Sequence, residues 1–155
     1  TDIGESWSFD AAFSEELLSD FDTDRDGTFN AEETRAMGDE ILGNLSEVRY
    51  LTYIFVDGHD LGKLEPFGFR TQVRDGVVTL AFGNHLPAPV DASRSRIAVQ
   101  IKDPDFMIMA LPAEKQPVFF RGVPKGRCST EIGDKPQDAY YGGLIVPQEV
   151  SVTCK

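Results

Sequence analysis

With 155 residues, 41% of them hydrophobic, the chain is long enough to bury a substantial core in one domain. Its 26 acidic and 15 basic residues give a formal net charge of −11, which argues against nucleic acid and against anionic membrane surfaces, since both need basic patches. No apolar run approaches the ~18 residues of a transmembrane helix, and a first residue of Thr1 rather than methionine reads as a processed or trimmed form.

Residues Glu5 to Phe9 alternate in a short strand-like way around Trp7. Asp10 then fits the N-cap of a helix running to about Phe21. Phe13, Leu17 and Phe21 recur every fourth residue, with Leu18 beside them, while Glu15, Glu16 and Asp20 fall on the wet side.

The stretch from Asp22 to Glu33 has the register of one EF-hand calcium loop. Carboxylates stand at positions 1, 3 and 5 (Asp22, Asp24, Asp26), glycine at 6 (Gly27) and glutamate at 12 (Glu33). Ca²⁺ takes about six to eight oxygens at roughly 2.3–2.6 Å, and one continuous segment of this spacing supplies them. The expected ligands are the side chains of Asp22, Asp24, Asp26 and Glu33, the Thr28 carbonyl, and Asn30 directly or through water. Gly27 permits a turn with φ > 0 that a Cβ would penalise. Phe29 is the apolar anchor of the loop. An acidic surface turn that binds nothing is the bland alternative, and the glycine in register with four carboxylates and flanking helical patterns weighs against it.

Asn30 caps the second helix, and Glu33 three residues on completes a capping-box spacing. Met37, Ile41, Leu45 and Val48 carry its buried face, so it should run to about Glu47. Gly38 and Gly43 weaken it by up to about 1 kcal/mol each.

Beyond it the pattern turns to β. Tyr50–Val56 is rich in aromatic and β-branched residues and ends at Asp57-Gly58. Phe69–Arg74 and Val77–Phe82 flank Asp75-Gly76, the strongest hairpin mark in the chain. Arg70, Gln72 and Arg74 should face water, and Val78, Leu80 and Phe82 the core. Ile97, Val99 and Ile101 give another strand, closed by Asp103-Pro104. Further candidates are Phe106–Leu111, Val118–Arg121, Arg127–Ile132 and Glu149–Cys154, with Gly133–Gly143 as a long loop. The expected fold is α+β: a single domain over 1–155, with an EF-hand helix pair at about 10–48 packed on an antiparallel sheet or sandwich of about seven strands.

Cys128 and Cys154 are 26 residues apart, and a disulfide closing that loop would stabilise by roughly 3.5 kcal/mol. Two reduced thiols are the alternative. Calcium sites of modest affinity and disulfides both belong outside the cytosol, which favours an exported protein. His59 and His85 read as surface histidines, and Met107 and Met109 as core packing rather than ligands for a soft metal. No nucleophile elbow, Cys–His pattern or phosphate-cradling loop is present, so an enzyme is not expected.

The run Trp7-Ser8-Phe9-Asp10-Ala11-Ala12-Phe13-Ser14, then Leu17-Leu18-Ser19-Asp20-Phe21-Asp22 and the loop, resembles the bacterial family of domain of unknown function 1007. Tyr53 to Gly58, Asp103-Pro104 and Cys128 resemble it too. Its members are labelled an ABC-type transport system periplasmic component. The resemblance implies a periplasmic or otherwise exported protein, associated with nickel, cobalt or zinc transport, whose partner is a membrane metal permease or ABC transporter component. Members typically carry a His-Pro-His segment ahead of the tryptophan motif, and none precedes Trp7 here. The expected function is therefore a calcium-binding, non-enzymatic accessory of a divalent-metal transport system. The alternative is a protein-interaction module held rigid by calcium and a disulfide.

Overall fold

The computed structural model describes residues 1–155. The fold is α+β, with two helices and eight strands in two antiparallel sheets. The chain divides into two compact units, residues 1–47 with 64–86, and residues 48–63 with 87–155.

The first unit holds β1 (Asp2–Ser8), α1 (Ala11–Phe21), α2 (Ala31–Leu45), β4 (Pro66–Arg74) and β5 (Val77–His85), with strand order β1-β5-β4. The hairpin at Asp75-Gly76 pairs Arg74 with Val77 and Gln72 with Thr79, as that turn chemistry requires. This register turns Val78, Leu80 and Phe82 inward and leaves Arg70, Gln72 and Arg74 exposed. Val78 and Leu80 meet Leu17 of α1 and Met37 of α2 in one buried cluster, with Phe29, Ile41 and Phe69 packed around it. Phe13 lies at the edge of the helix stripe, partly exposed, with its ring 4.9 Å from that of Phe9.

Two hydroxyls fasten the helices to the sheet. Ser14, fully buried in α1, accepts from the Val78 N–H at 3.0 Å and donates to the Phe9 carbonyl. Thr34 of α2 and Thr71 of β4 share a hydrogen bond of 2.6 Å. Trp7 packs edge-on against Phe82, and its indole N–H reaches Glu5, whose carboxylate also accepts from Asn84. His85 is exposed, stacked on Phe67 and 2.7 Å from Asp2, whose carboxyl it holds below the ordinary value by hydrogen bonding.

The second unit holds β2 (Thr52–Val56), β3 (His59–Asp60), β6 (Ile97–Ile101), β7 (Cys128–Asp134) and β8 (Gln148–Cys154), in the order β3-β2-β6-β8-β7. Between α2 and β2 the backbone reverses hand, with Arg49, Tyr50 and Leu51 at φ of 58°, 54° and 58°. Left-handed non-glycine residues cost about 1–2 kcal/mol each. Burial of Tyr50 and Leu51 offsets that cost, and so does the Arg49 guanidinium, which forks onto Asp60 at 2.6 and 2.9 Å and also donates to the Gly62 carbonyl. Arg49 and Lys102 both lie over the Tyr53 ring, at 4.2 and 4.1 Å. Cys128 and Cys154 form a disulfide across the first register pair of β7 and β8.

Several expectations are corrected. The antiparallel β part holds eight strands in two sheets, where an antiparallel sheet or sandwich of about seven was expected. Phe106–Leu111 and Val118–Arg121 form no strand. The Asp103 carboxylate takes the amides of Asp105, Met107 and Ile108 that a ladder would need, and Pro112 and Pro117 supply none. Met107 and Met109 consequently stand exposed rather than packed in a core. The second helix ends at Leu45, and the expected loop from Gly133 contains the end of β7, a short turn of 3₁₀ helix at Pro136–Asp138 and a Tyr140–Ile145 bridge.

The two helix glycines differ. A Cβ on Gly38 would lie 2.7 Å from the Phe69 ring, whereas Gly43 has nothing within 4 Å. Gly43→Ala should raise stability by up to about 1 kcal/mol. Gly38→Ala should lower it, because overpacking costs about 1–3 kcal/mol against the same helix gain. Urea titrations of both variants at fixed calcium check the opposite signs.

A pH dependence follows from Arg49 and Asp60. The Arg49 guanidinium holds the Asp60 carboxyl below its ordinary value of 3.8, against an opposing effect of burial. A carboxylate with a depressed folded pKa stabilises fully above its unfolded value, and that contribution is lost as pH falls through the folded value. Asp60→Asn should therefore lower the urea midpoint at neutral pH and leave it unchanged in strong acid.

Candidate metal centre

The loop begins where α1 stops. Asp22 is the C-cap of that helix, its N–H still bonded to the Leu18 carbonyl at 3.1 Å. The chain then winds back on itself through two left-handed residues, Arg25 at φ 60° and Gly27 at φ 82°. Only the second is glycine, so Arg25 carries the steric cost.

Carboxylates organise this turn by accepting from its backbone. Asp22 takes the N–H groups of Asp26 at 3.1 Å and Gly27 at 2.8 Å. Asp24 accepts from Asp26 at 3.2 Å, and Asp26 takes both the N–H and the hydroxyl of Thr28. Asn30 caps α2, its side-chain oxygen accepting from the Glu32 and Glu33 N–H groups. Glu33 returns the bond to the Asn30 N–H at 3.0 Å, which completes the expected capping box.

Glu33 also reaches back ten residues. One of its oxygens accepts from the Thr23 N–H at 2.7 Å and the Thr23 hydroxyl at 2.6 Å. With 4% of its surface exposed, it is a buried charge whose oxygens are satisfied. The Thr23 hydroxyl is the main reason its carboxyl is held below the ordinary value, with the Asn30 N–H next. Asp24 is shifted the other way, chiefly by desolvation and then by the neighbouring Asp26 and Glu33 charges.

The fold brings together Asp22, Asp24 and Glu33, each with a carboxylate oxygen within 4.8 Å of the others. Asp26 is not among the carboxylates of that trio, and Thr28 and Asn30 follow it in the same loop. Opposite oxygens of a calcium shell stand roughly 4.6–5.2 Å apart, twice the metal–oxygen distance. The trio gathers three hard oxygen donors within reach of one another, and its like charges repel. Thr23 was not recognised from the sequence. Its role depends on Glu33 curling back, and a hydroxyl at the second loop position carries no local signal.

The profile of the family described as "Protein of unknown function (DUF1007)" matches residues 1–142. No curated protein matches the chain, and no solved structure does.

Removing the cap tests the local architecture without any ion. Asn30→Ala should destabilise the protein by about 1 kcal/mol in EDTA, while Asn30→Asp should keep most of that stability. Denaturant midpoints of the two variants measure it.

Proposed function

This chain belongs to the DUF1007 family of proteins of unknown function, and on that premise we propose that it is an exported calcium-binding protein, a non-enzymatic accessory of a divalent-metal (nickel, cobalt or zinc) transport system. The observation that carries the calcium reading is the convergence of Asp22, Asp24 and Glu33 in a loop whose glycine adopts the required left-handed turn. Asp26, the Thr28 carbonyl and Asn30 complete the proposed ligand set, Asn30 through water because its side-chain oxygen already serves two N–H groups. Glu33 is the proposed bidentate ligand, and binding would exchange donors it now accepts, the Thr23 N–H and hydroxyl and the Asp24 N–H on one oxygen and the Asn30 N–H on the other, for the ion.

Export is supported by the disulfide, and no helix is long and apolar enough to cross a membrane. The transport role comes from the family's association with nickel, cobalt and zinc systems. Titration separates it from the alternative, an interaction module held rigid by calcium and a disulfide: an accessory of metal transport binds Zn²⁺, Ni²⁺ or Co²⁺ or a permease, and a rigid scaffold binds none of them.

Calcium acts here as a staple rather than a switch. Ser14 to Val78, Thr34 to Thr71 and the buried Met37 already fasten both helices to β4 and β5, which opposes a change of helix angle. Calorimetry should find that Glu33→Gln weakens Ca²⁺ binding most among the ligand variants, and an unchanged affinity would refute the assignment. At 100 times its Kd, calcium should add roughly 2.7 kcal/mol of stability. Hydrogen exchange in EDTA should show protection lost around residues 10–48 while the strands keep theirs.

A further inference from the structure

The connection between β6 and β7, residues 102–127, forms neither helix nor strand. Structureless connections longer than about 12–15 residues are uncommon in compact domains and usually carry function. Both roots of this one are fixed. At the first, buried Asp103 accepts from the N–H groups of Asp105, Met107 and Ile108 at 3.1, 2.7 and 2.8 Å. At the second, Cys128 is bonded to Cys154.

Between the roots, large apolar side chains face outward. Met107 is 84% exposed, Leu111 72% and Phe119 71%, with Met109, Phe120 and Val123 also exposed. Six large apolar side chains thus stand exposed within residues 107–123, and contiguous exposed apolar surface is what marks an interaction site. Interleaved with them are four exposed basic residues, Lys115, Arg121, Lys125 and Arg127, against the single acidic Glu114 in residues 106–127. Arg127 lies near Asp91 and helps hold that carboxyl down, so the outward positive charge rests mainly with the other three. A chain of net charge −11 thus gathers apolar and positive groups in one segment.

We propose that residues 106–127 are a membrane-surface anchor. Met107, Met109, Leu111, Phe119 and Phe120 enter the headgroup boundary of an anionic phospholipid bilayer, and Lys115, Arg121 and Lys125 engage lipid phosphates. Charge complementarity selects this occupant, since basic residues beside exposed aromatic and aliphatic ones fit an anionic interface. The irregular backbone limits insertion to the interface, because unpaired N–H and C=O groups cannot enter hydrocarbon. It also offers a partner protein neither a strand edge nor a helix face. The anchor lies in the second unit and does not depend on the calcium reading.

The test is co-sedimentation at low salt, in EDTA and in calcium, with vesicles of phosphatidylcholine alone or mixed with phosphatidylglycerol. The protein should sediment with the mixed vesicles only, and added salt should release it. Lys115→Ala, Arg121→Ala and Lys125→Ala should each weaken binding on the order of fivefold. Unmodified protein gives a second readout: peroxide should oxidise Met107 and Met109 in solution and spare them on mixed vesicles, while buried Met37 resists in both. Failure to sediment with mixed vesicles, equal binding to neutral ones, or oxidation unaffected by vesicles would overturn the proposal. Binding only to native membranes, abolished by protease treatment of those membranes, would overturn it in favour of a membrane protein. Protection that grows with protein concentration without vesicles would assign the segment to a second copy of the chain.

Discussion

The Glu33 carboxylate is the constraint on which the helix–loop–helix depends. It accepts from Thr23 at the start of the loop and from Asn30 at the cap of α2, so one buried side chain closes the loop and starts the helix. Remove it and four donors, the Thr23 N–H and hydroxyl, the Asp24 N–H and the Asn30 N–H, lose their acceptor. A Glu33 carboxylate oxygen also lies within 4.8 Å of oxygens of Asp22 and Asp24, so a cation bound there would meet a geometry already set by N–H and O–H donors. Structure and proposed ligation use one carboxylate, and neither can be altered alone.

Most of what could be read from the sequence is local, the Cys128–Cys154 bond across 26 residues being the exception. The Asp75-Gly76 hairpin, the Asn30–Glu33 capping box and the carboxylate spacing each lie within about a dozen residues, and each is set by turn or helix geometry. Features missed depend on distant partners. Ser14 is an ordinary polar residue in a helical pattern until Val78, 64 residues away, donates to it. The strand pattern at Phe106–Leu111 fails because an aspartate just before it competes for its amides, a rivalry that alternation of apolar residues cannot reveal.

Charge teaches a related lesson. An overall surplus of acid describes the average field of the chain, and it correctly describes the loop that gathers carboxylates. It says little about a segment where four cations and one anion stand among exposed apolar groups.

The placement of β8 has a consequence for how the five-stranded sheet is assembled. It lies between β6 and β7 although it follows both in the chain. Until β8 arrives, β7 has no neighbour in the sheet, and its seven residues, six of them exposed, offer little apolar surface to hold it elsewhere. The non-local step in this sheet is the pairing of β8 with β6, whose partners lie 49 to 55 residues apart in the chain, and contacts of that span slow folding. The Cys128–Cys154 bond joins β7 and β8 at the far end of their register from the connection between them. Once oxidised, it keeps β7 beside its only partner through every later opening of the sheet edge.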